Sequence, residues 1–134
     1  MDDQKELLKE SFKSAVASTV KSIAAKSDIK IYFDKKNNNE DNVVNLPNID
    51  QLNNVDEYLT VRAIADSEAL RIRYTDKKIY KQNEPSGNAE KKLYETAEKI
   101  RYEKLGSNYF SGVKKNLDKY FQNKLNKRDK STAK

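Results

Sequence analysis

The sequence predicts a mainly α-helical fold, with four to five helices in a small bundle and one short β-hairpin between the first and second helices. Two patterns carry this prediction. Apolar residues recur at spacings of three and four in four separate segments, as they do along the buried face of a helix. Between the first two segments, residues 29–33 alternate apolar and polar side chains, which is the period of a strand.

The first helix is predicted over residues 4–25, and the first strand follows it. Residues 37–54 contain eight asparagines, a composition typical of turns, so we expect a flexible loop over residues 35–53. Within this loop, residues 43–46 are predicted to return as a second strand that Pro47 ends. The two strands would form the hairpin, which must rest on the helices because a two-stranded ribbon is marginally stable alone.

The second helix is predicted to begin after Asn54, which forms a variant of the capping box with Glu57. Its apolar pattern continues to about Tyr74. A short helical turn over residues 76–82 follows, and the proline and glycine of NEPSGN end it. The sequence therefore indicates both where the second helix begins and where the short helical turn after it ends.

Two further helices are predicted over residues 88–105 and 107–125, with Gly106 between them as a C′ stop. We expect residues 1–125 to form one helical domain. Residues 126–134 are expected to be a disordered basic tail, because NKRDKSTAK has almost nothing to bury. The predicted common core comprises Phe12, Val16, Val20, Tyr58, Leu70, Leu93, Leu117 and Phe121.

Charged residues interrupt the apolar stripe of the second helix. Arg62 and Asp66 lie within this stripe at a spacing of four, so their side chains can meet on one helix face. A buried charge is tolerated only when it is paired, which favours a structural ion pair over the alternative of a ligand site. We expect Asp66 to accept hydrogen bonds from Arg62 or from Arg101 of a facing helix. The predicted structural polar network comprises Arg62, Asp66, Arg73, Glu98 and Arg101.

The composition excludes several classes of function. The chain of 134 residues has no Cys and no His, which removes disulfides and metal sites built on thiolate or imidazole. There is no glycine-rich phosphate loop, and no spacing indicates a catalytic or metal-binding residue. An enzyme using Asp66 and Glu103 is the last-ranked hypothesis, because no nucleophile accompanies these carboxylates.

The N-terminal sequence MDDQKELLKE is acidic, whereas a signal peptide begins with basic residues. No apolar run approaches the length that spans a bilayer. We therefore expect a cytoplasmic protein.

The net charge of +6 is concentrated near the C-terminus, where residues 114–134 hold eight Lys or Arg and two Asp. This basic segment supports an alternative function as a small nucleic-acid-binding protein with stacking tyrosines. Tyr109 and Tyr120 fit a helix core better, and a charge run is by default a solvated tail, so we expect weak nucleic-acid binding. The candidate phosphate-binding residues are Lys114, Lys115, Lys119, Lys124, Lys127 and Arg128.

Several segments resemble a known family. The segments FKSAVASTVKSIAAKSDIKIYF, VRAIADSEALRIRYTD and EPSGNAEKKLYETAEKIRYEKLGSNYFSGVKKNL, with LP at 46–47, are similar to the N-terminal domain of CobT, a subunit of the aerobic cobaltochelatase. The resemblance covers about residues 12–117 in order. Its most specific residues are Arg62, Ala65, Asp66, Ala69, Leu70, Arg71, residues 85–87, Glu98, Arg101, Glu103, Gly106, Gly112, Asn116 and Leu117.

The resemblance implies a non-catalytic interaction or scaffold domain in the ATP-dependent complex that inserts cobalt into hydrogenobyrinic acid a,c-diamide during cobalamin biosynthesis. The implied partners are a CobS-like ATPase subunit and a CobN-like large subunit. We expect no membrane partner, and nucleic acid is not favoured as a partner. ATP, Mg and cobalt are implied for the complex, and no cofactor is expected on this chain. The matching residues expected on the surface, and hence possible partner-binding residues, are Glu68, Arg71 and Glu103.

This sequence departs from the family pattern in two ways. The family usually has His before an aspartate where this chain has Thr75 and Asp76, and often another His near Tyr80, so no role can rest on imidazole there. The family also continues into an acidic linker and a C-terminal integrin-type domain, whereas this sequence ends in a basic segment. We therefore expect either a fragment or a short homologue.

Overall fold

The computed structural model describes residues 2–34, 42–50 and 52–132. Five helices, with a two-stranded sheet between the first and the second, confirm the predicted fold class within these residues. In chain order the elements are α1 (Asp2–Ala24), β1 (Lys30–Phe33), β2 (Val43–Leu46), α2 (Val55–Tyr74), α3 (Lys77–Gln82), α4 (Asn88–Tyr109) and α5 (Ser111–Thr132).

The central helix is α2, against which α1, α4, α5 and β2 all pack. Ala63, Ala65 and Ala69 are buried on more than one side of α2, and such small side chains let several neighbours approach the same helix. Larger side chains from α2 itself and from the surrounding elements complete a single hydrophobic core. They include Val16, Val20 and Ile23 of α1, Val44 and Leu46 of β2, Leu70 of α2, and Val113 and Leu117 of α5.

The two strands pair at the predicted place but run parallel, so the predicted hairpin is wrong. Lys30 is aligned with Val43, and Phe33 with Leu46. Alternation of apolar residues determines which side chains face the helices, but it does not determine the direction of pairing. A four-residue strand is only about 13 Å long, so the connecting segment can return to its start. Residues 35–41 of the predicted flexible loop lie outside the described residues.

The capping prediction for α2 is confirmed. The Asn54 side-chain oxygen accepts a hydrogen bond from the Glu57 backbone N–H at 2.9 Å. In return, the Glu57 carboxylate accepts from the backbone N–H of Asn53 at 2.6 Å. The predicted turn after α2 is also present as α3, and the Asp76 carboxylate caps it. Polar side chains thus satisfy backbone donors at the start of both helices.

The boundary between the last two helices lies later than predicted. Helix α4 continues through Gly106 to Tyr109, and the break occurs at Phe110, which has an extended backbone. Gly106 is therefore not a C′ stop. A β-carbon at position 106 would lie 2.3 Å from the Cδ atoms of Leu70, so the missing side chain allows α4 to pack closely on α2.

Helix α5 continues to Thr132 and therefore crosses the predicted domain boundary at residue 125. Residues 126–132 are helical, so the prediction of a disordered tail is wrong for them. Extending an established helix fixes one residue for each new hydrogen bond, which is far cheaper than starting a helix. The side chains of residues 126–129 are exposed, as expected for a segment with few apolar groups.

The predicted core is correct for Val16, Val20, Leu70 and Leu117, which are all buried. Phe12 is half-buried at the edge of this core, and the half-buried Tyr58 packs on Phe12. Two assignments are wrong, because the side chains of Leu93 and Phe121 are 72% and 42% exposed. Helix α4 turns the face of Tyr102 and Gly106 towards α2 instead of the face that carries Leu93.

Candidate functional site

A cleft of about 790 Å³ lies between α1 and α5, with α2 as its floor. We call it the α1–α5 cleft. Phe12 of α1 and Tyr58 of α2 line it and meet edge-to-face, with ring centroids 5.0 Å apart. Tyr109 and Phe110, at the junction of α4 and α5, line the opposite side. The polar residues that line the cleft include Arg62, Asp66, Lys115 and Asn116.

Asp66 is the buried polar centre of the cleft, with only 1% of the residue exposed. One carboxylate oxygen, Oδ2, accepts a hydrogen bond from the Asn116 side-chain amide of α5 at 2.7 Å. Burial raises the pKa of Asp66, while the hydrogen bond from Asn116 and the charge of Arg62 oppose the rise. Burial therefore destabilises the ionised carboxylate, and two neighbours, Arg62 of α2 and Asn116 of α5, stabilise it.

Arg62 and Asp66 form an ion pair without a good hydrogen bond. The Arg62 Nε and Asp66 Oδ1 atoms are 3.5 Å apart, which is within ion-pair distance. Both atoms are buried, and neither has a hydrogen-bond partner among the described residues. About a third of the Arg62 side chain remains exposed. The attraction is therefore mainly Coulombic, and the exposed part of the Arg62 side chain borders the cleft.

Glu98 and Arg101 form a separate cluster at the other end of α2. Arg101 donates to both Glu98 oxygens, at 2.6 and 2.8 Å, and to the Tyr74 carbonyl at 2.7 Å. The Thr75 hydroxyl also donates to Glu98, at 2.5 Å. These bonds, chiefly the one from Arg101, lower the pKa of Glu98. The cluster holds α4 against the C-terminal end of α2.

Arg73 belongs to neither cluster. Its Nη1 donates to the backbone carbonyl of Ile23 at 3.0 Å, which joins α2 to the end of α1. The guanidinium carbon also lies 5.5–5.6 Å from the ring centroids of Tyr74, Tyr109 and Phe110. Such distances allow a cation–π attraction.

The structure thus distributes the five predicted network residues over three places. Arg62 contacts Asp66 as expected, but Arg101 lies with Glu98 and does not reach Asp66. Sequence reasoning missed Asn116, the main hydrogen-bond donor to Asp66. Its signals were an amide within the apolar stripe of the last helix and its place among the residues that carry the family resemblance.

The described residues contain no group of three or more His, Cys, Asp or Glu that could hold a metal ion. No helix in the same ranges is long and apolar enough to cross a membrane. Residues 7–134 match the family model described as cobalamin biosynthesis protein CobT. The chain belongs to the CobT family. No solved structure matches it.

The CobT match extends beyond the residues 12–117 that carried the resemblance and includes all of α5. It therefore covers every element that lines the α1–α5 cleft. Membership of the CobT family implies involvement in the cobaltochelatase of cobalamin biosynthesis, which is a multi-subunit complex.

The three possible partner-binding residues of this CobT chain differ in exposure. Glu68 and Arg71 are half-buried and form an ion pair at 2.8 Å, and Arg71 also donates to the Val43 carbonyl at 3.3 Å. Both line a groove of about 1000 Å³ between β2, α2, α3 and α4. Glu103 is only 9% exposed and accepts a hydrogen bond from the Ser67 hydroxyl at 2.6 Å. The expectation that Glu103 lies on the surface is therefore wrong, because its face of α4 packs on α2.

Proposed function

We propose that this chain is a non-catalytic scaffold domain of an ATP-dependent cobaltochelatase that inserts cobalt into hydrogenobyrinic acid a,c-diamide. The observation that carries the proposal is the CobT family match over nearly the whole chain. In this proposal ATP, Mg and cobalt are handled by other subunits, and the chain contributes binding surfaces to the assembly.

The engagement of the buried carboxylates supports a structural role. Asp66 is held by Arg62 and Asn116, and Glu103 by Ser67. A general base must be within hydrogen-bond reach of a substrate proton, whereas Asp66 and Glu103 are only 1% and 9% exposed and are engaged by neighbouring side chains. They stabilise the packing of α2 against α4 and α5, which is what a rigid docking module requires.

The partners in this proposal are a CobS-like ATPase subunit and a CobN-like large subunit. The groove that contains Glu68 and Arg71 is the first docking surface to test, because both charges remain partly exposed there. Charged groups at the rim of an interface govern partner choice and association rate more than affinity. A change at Arg71 should therefore act chiefly on the association rate.

The test is association of the full chain with the cognate CobS-like and CobN-like subunits, measured by biolayer interferometry. Arg71→Gln should slow association, and Lys21→Gln, which removes one exposed positive charge from α1, is the matched control. Binding of neither subunit, together with sub-micromolar affinity for duplex DNA or RNA at physiological salt, would replace the proposal by the nucleic-acid alternative.

A further inference from the structure

The α1–α5 cleft has an apolar lining that remains open to solvent. Tyr109 is 70% exposed and Val55 is 72% exposed, and both line the cleft. Leu8, which lies outside the cleft lining but one helical turn before Phe12 on α1, is 71% exposed. Large apolar side chains that gather in one exposed concave region indicate a binding surface.

The charges of the cleft are unequal. Arg62 and Lys115 line it as cations, and Asp66 is the one acidic residue of the lining. Asp66 is already occupied by Arg62 and Asn116. Lys119 follows Lys115 by four residues, so it extends the positive charge along the same side of α5. Because Arg62 and Asp66 offset one another as an ion pair, the positive charge left for a ligand comes from Lys115, with Lys119 beyond it.

Arg62 supplies the specific feature. Its Nε is buried 3.5 Å from Asp66 Oδ1, but about a third of the side chain is exposed and lines the cleft, and a planar guanidinium carries five donors. A carboxylate is the group that best matches such a fork, because it can accept two parallel hydrogen bonds. A ligand carboxylate in the cleft would accept hydrogen bonds from the exposed part of the Arg62 guanidinium and not from the buried Nε.

We propose that the α1–α5 cleft binds an acidic amphipathic helix of a partner protein, with one carboxylate on Arg62 and apolar side chains against Phe12, Tyr58 and Tyr109. This proposal depends on the proposed scaffold function for one point, which is that the partner is a protein. The cleft lies between two helices over a third, which is the arrangement in which a further helix buries its apolar face.

The test uses a displayed library of helical peptides about 16 residues long, roughly 24 Å as a helix, selected on the full chain. Enriched peptides should carry Asp or Glu inside an apolar pattern with spacings of three and four. Their affinity should fall at least about tenfold on Arg62→Gln, the loss expected for a hydrogen bond to a charged group. Arg62→Lys should give an intermediate loss, because it keeps the charge without the fork.

Gly112→Leu blocks the cleft without relying on Arg62. Gly112 lines the cleft, and a β-carbon there would meet no heavy atom within 4 Å, so a larger side chain has room and the fold should be kept. This variant should abolish peptide binding, while Lys21→Gln, which changes an exposed residue of α1 outside the cleft lining, should not change it. The proposal would be overturned if no peptides were enriched, or if the enriched peptides carried no acidic residues. It would also be overturned if the peptides bound the Gly112→Leu chain as tightly as wild type.

Different results would overturn the cleft proposal and the scaffold proposal. A chain that binds its cognate subunits equally well with and without Gly112→Leu would overturn the cleft as the docking site and leave the scaffold function standing. A chain that binds acidic peptides through Arg62 but associates with neither subunit would overturn the scaffold function instead. Displacement of the peptides from the cleft by a short duplex oligonucleotide at physiological salt would indicate phosphate as the ligand and overturn the helix proposal.

Discussion

Gly106 of α4 lies directly against Leu70 of α2, and the contact leaves no room for a β-carbon. A Cβ at position 106 would be 2.3 Å from both Leu70 Cδ atoms, whereas a Cβ at Gly112 would meet nothing within 4 Å. Both glycines lie within helices, and neither has a positive φ angle. Their chemical identity is the same, but their packing differs completely.

Alanine at these two positions should therefore have opposite effects. Gly106→Ala should lower the free energy of unfolding by about 1–3 kcal/mol, because the fully buried Leu70 cannot move aside without disturbing the core. Gly112→Ala should raise it by up to about 1 kcal/mol, because alanine loses less backbone entropy in a helix. Urea unfolding of both variants tests this. A Gly106→Ala chain as stable as wild type would contradict the close packing of α4 on α2.

Leu70→Ala should lower the free energy of unfolding by about 2–5 kcal/mol, the range for a buried leucine that leaves a cavity. The matched control is Leu93→Ala, which removes the same atoms from a side chain that is 72% exposed. That change should stay within about 0.5 kcal/mol. Thermal unfolding of the two variants measures the difference, and equal losses would mean that the face of α4 had been assigned wrongly.

The helices could be predicted because their signals are local. Periodicity located every long helix, and the Asn54 cap fixed the start of α2. The face of α4 could not be predicted in this way, since Leu93 and Ile100 make an apolar stripe that remains exposed. The buried face is decided by the fit of Gly106 to Leu70, which depends on a different helix.

In the candidate site, too, only the local contact could be predicted from the sequence. Arg62 and Asp66 are four residues apart on one helix, so their contact could be inferred from spacing alone. Asn116 lies fifty residues from Asp66 in the chain, and no local pattern connects them. Similarly, the direction of strand pairing depends on the path of the connecting chain and not on the alternation of residues within β1 and β2.

Removing the Asp66 carboxylate should destabilise the domain. Asp66→Ala should cost about 2–3 kcal/mol, below the roughly 3–5 of a fully buried pair, because part of Arg62 reaches water. Asp66→Asn keeps the shape and a hydrogen bond to Asn116, so it should cost only about 1 kcal/mol. Asp118→Ala breaks the exposed pair with Lys114 and should cost less than about 1 kcal/mol. Urea unfolding at neutral pH should give this order, and an Asp66→Ala loss no larger than that of Asp118→Ala would contradict it.

Asp66 and Glu98 should make opposite contributions to the pH dependence of stability. Burial raises the pKa of Asp66, so the native state holds this proton more tightly than the unfolded chain. The Asp66 contribution therefore falls as pH rises from about 4, the usual aspartate value, through the raised native pKa. The pKa of Glu98 is lowered, chiefly by Arg101, so its contribution is complete above about pH 4 and is lost as pH falls.

Comparison with the neutral variants isolates each contribution. The free energy of unfolding of wild type minus that of Asp66→Asn should decrease as pH rises from about 4 to 7. The free energy of unfolding of wild type minus that of Glu98→Gln should increase as pH rises from about 2 to 5. Chemical unfolding at a series of pH values measures both slopes. Slopes of the same sign would show that one of the two carboxylates is not in the environment described.

Deletion of residues 126–134 separates the fold from the basic charge of the chain. The deletion removes four Lys or Arg and one Asp, and so half of the net charge of +6. Residues 126–129 are exposed, and none of them lines the α1–α5 cleft, so the free energy of unfolding should change by less than about 0.5 kcal/mol. Association with a CobS-like subunit should be nearly unchanged.

Any affinity of the chain for duplex DNA should fall on this deletion. Each lost phosphate contact should reduce the slope of log K against log salt by about 0.9. Loss of subunit association with unchanged stability would place the docking surface on the end of α5 and contradict its placement in the groove and the cleft.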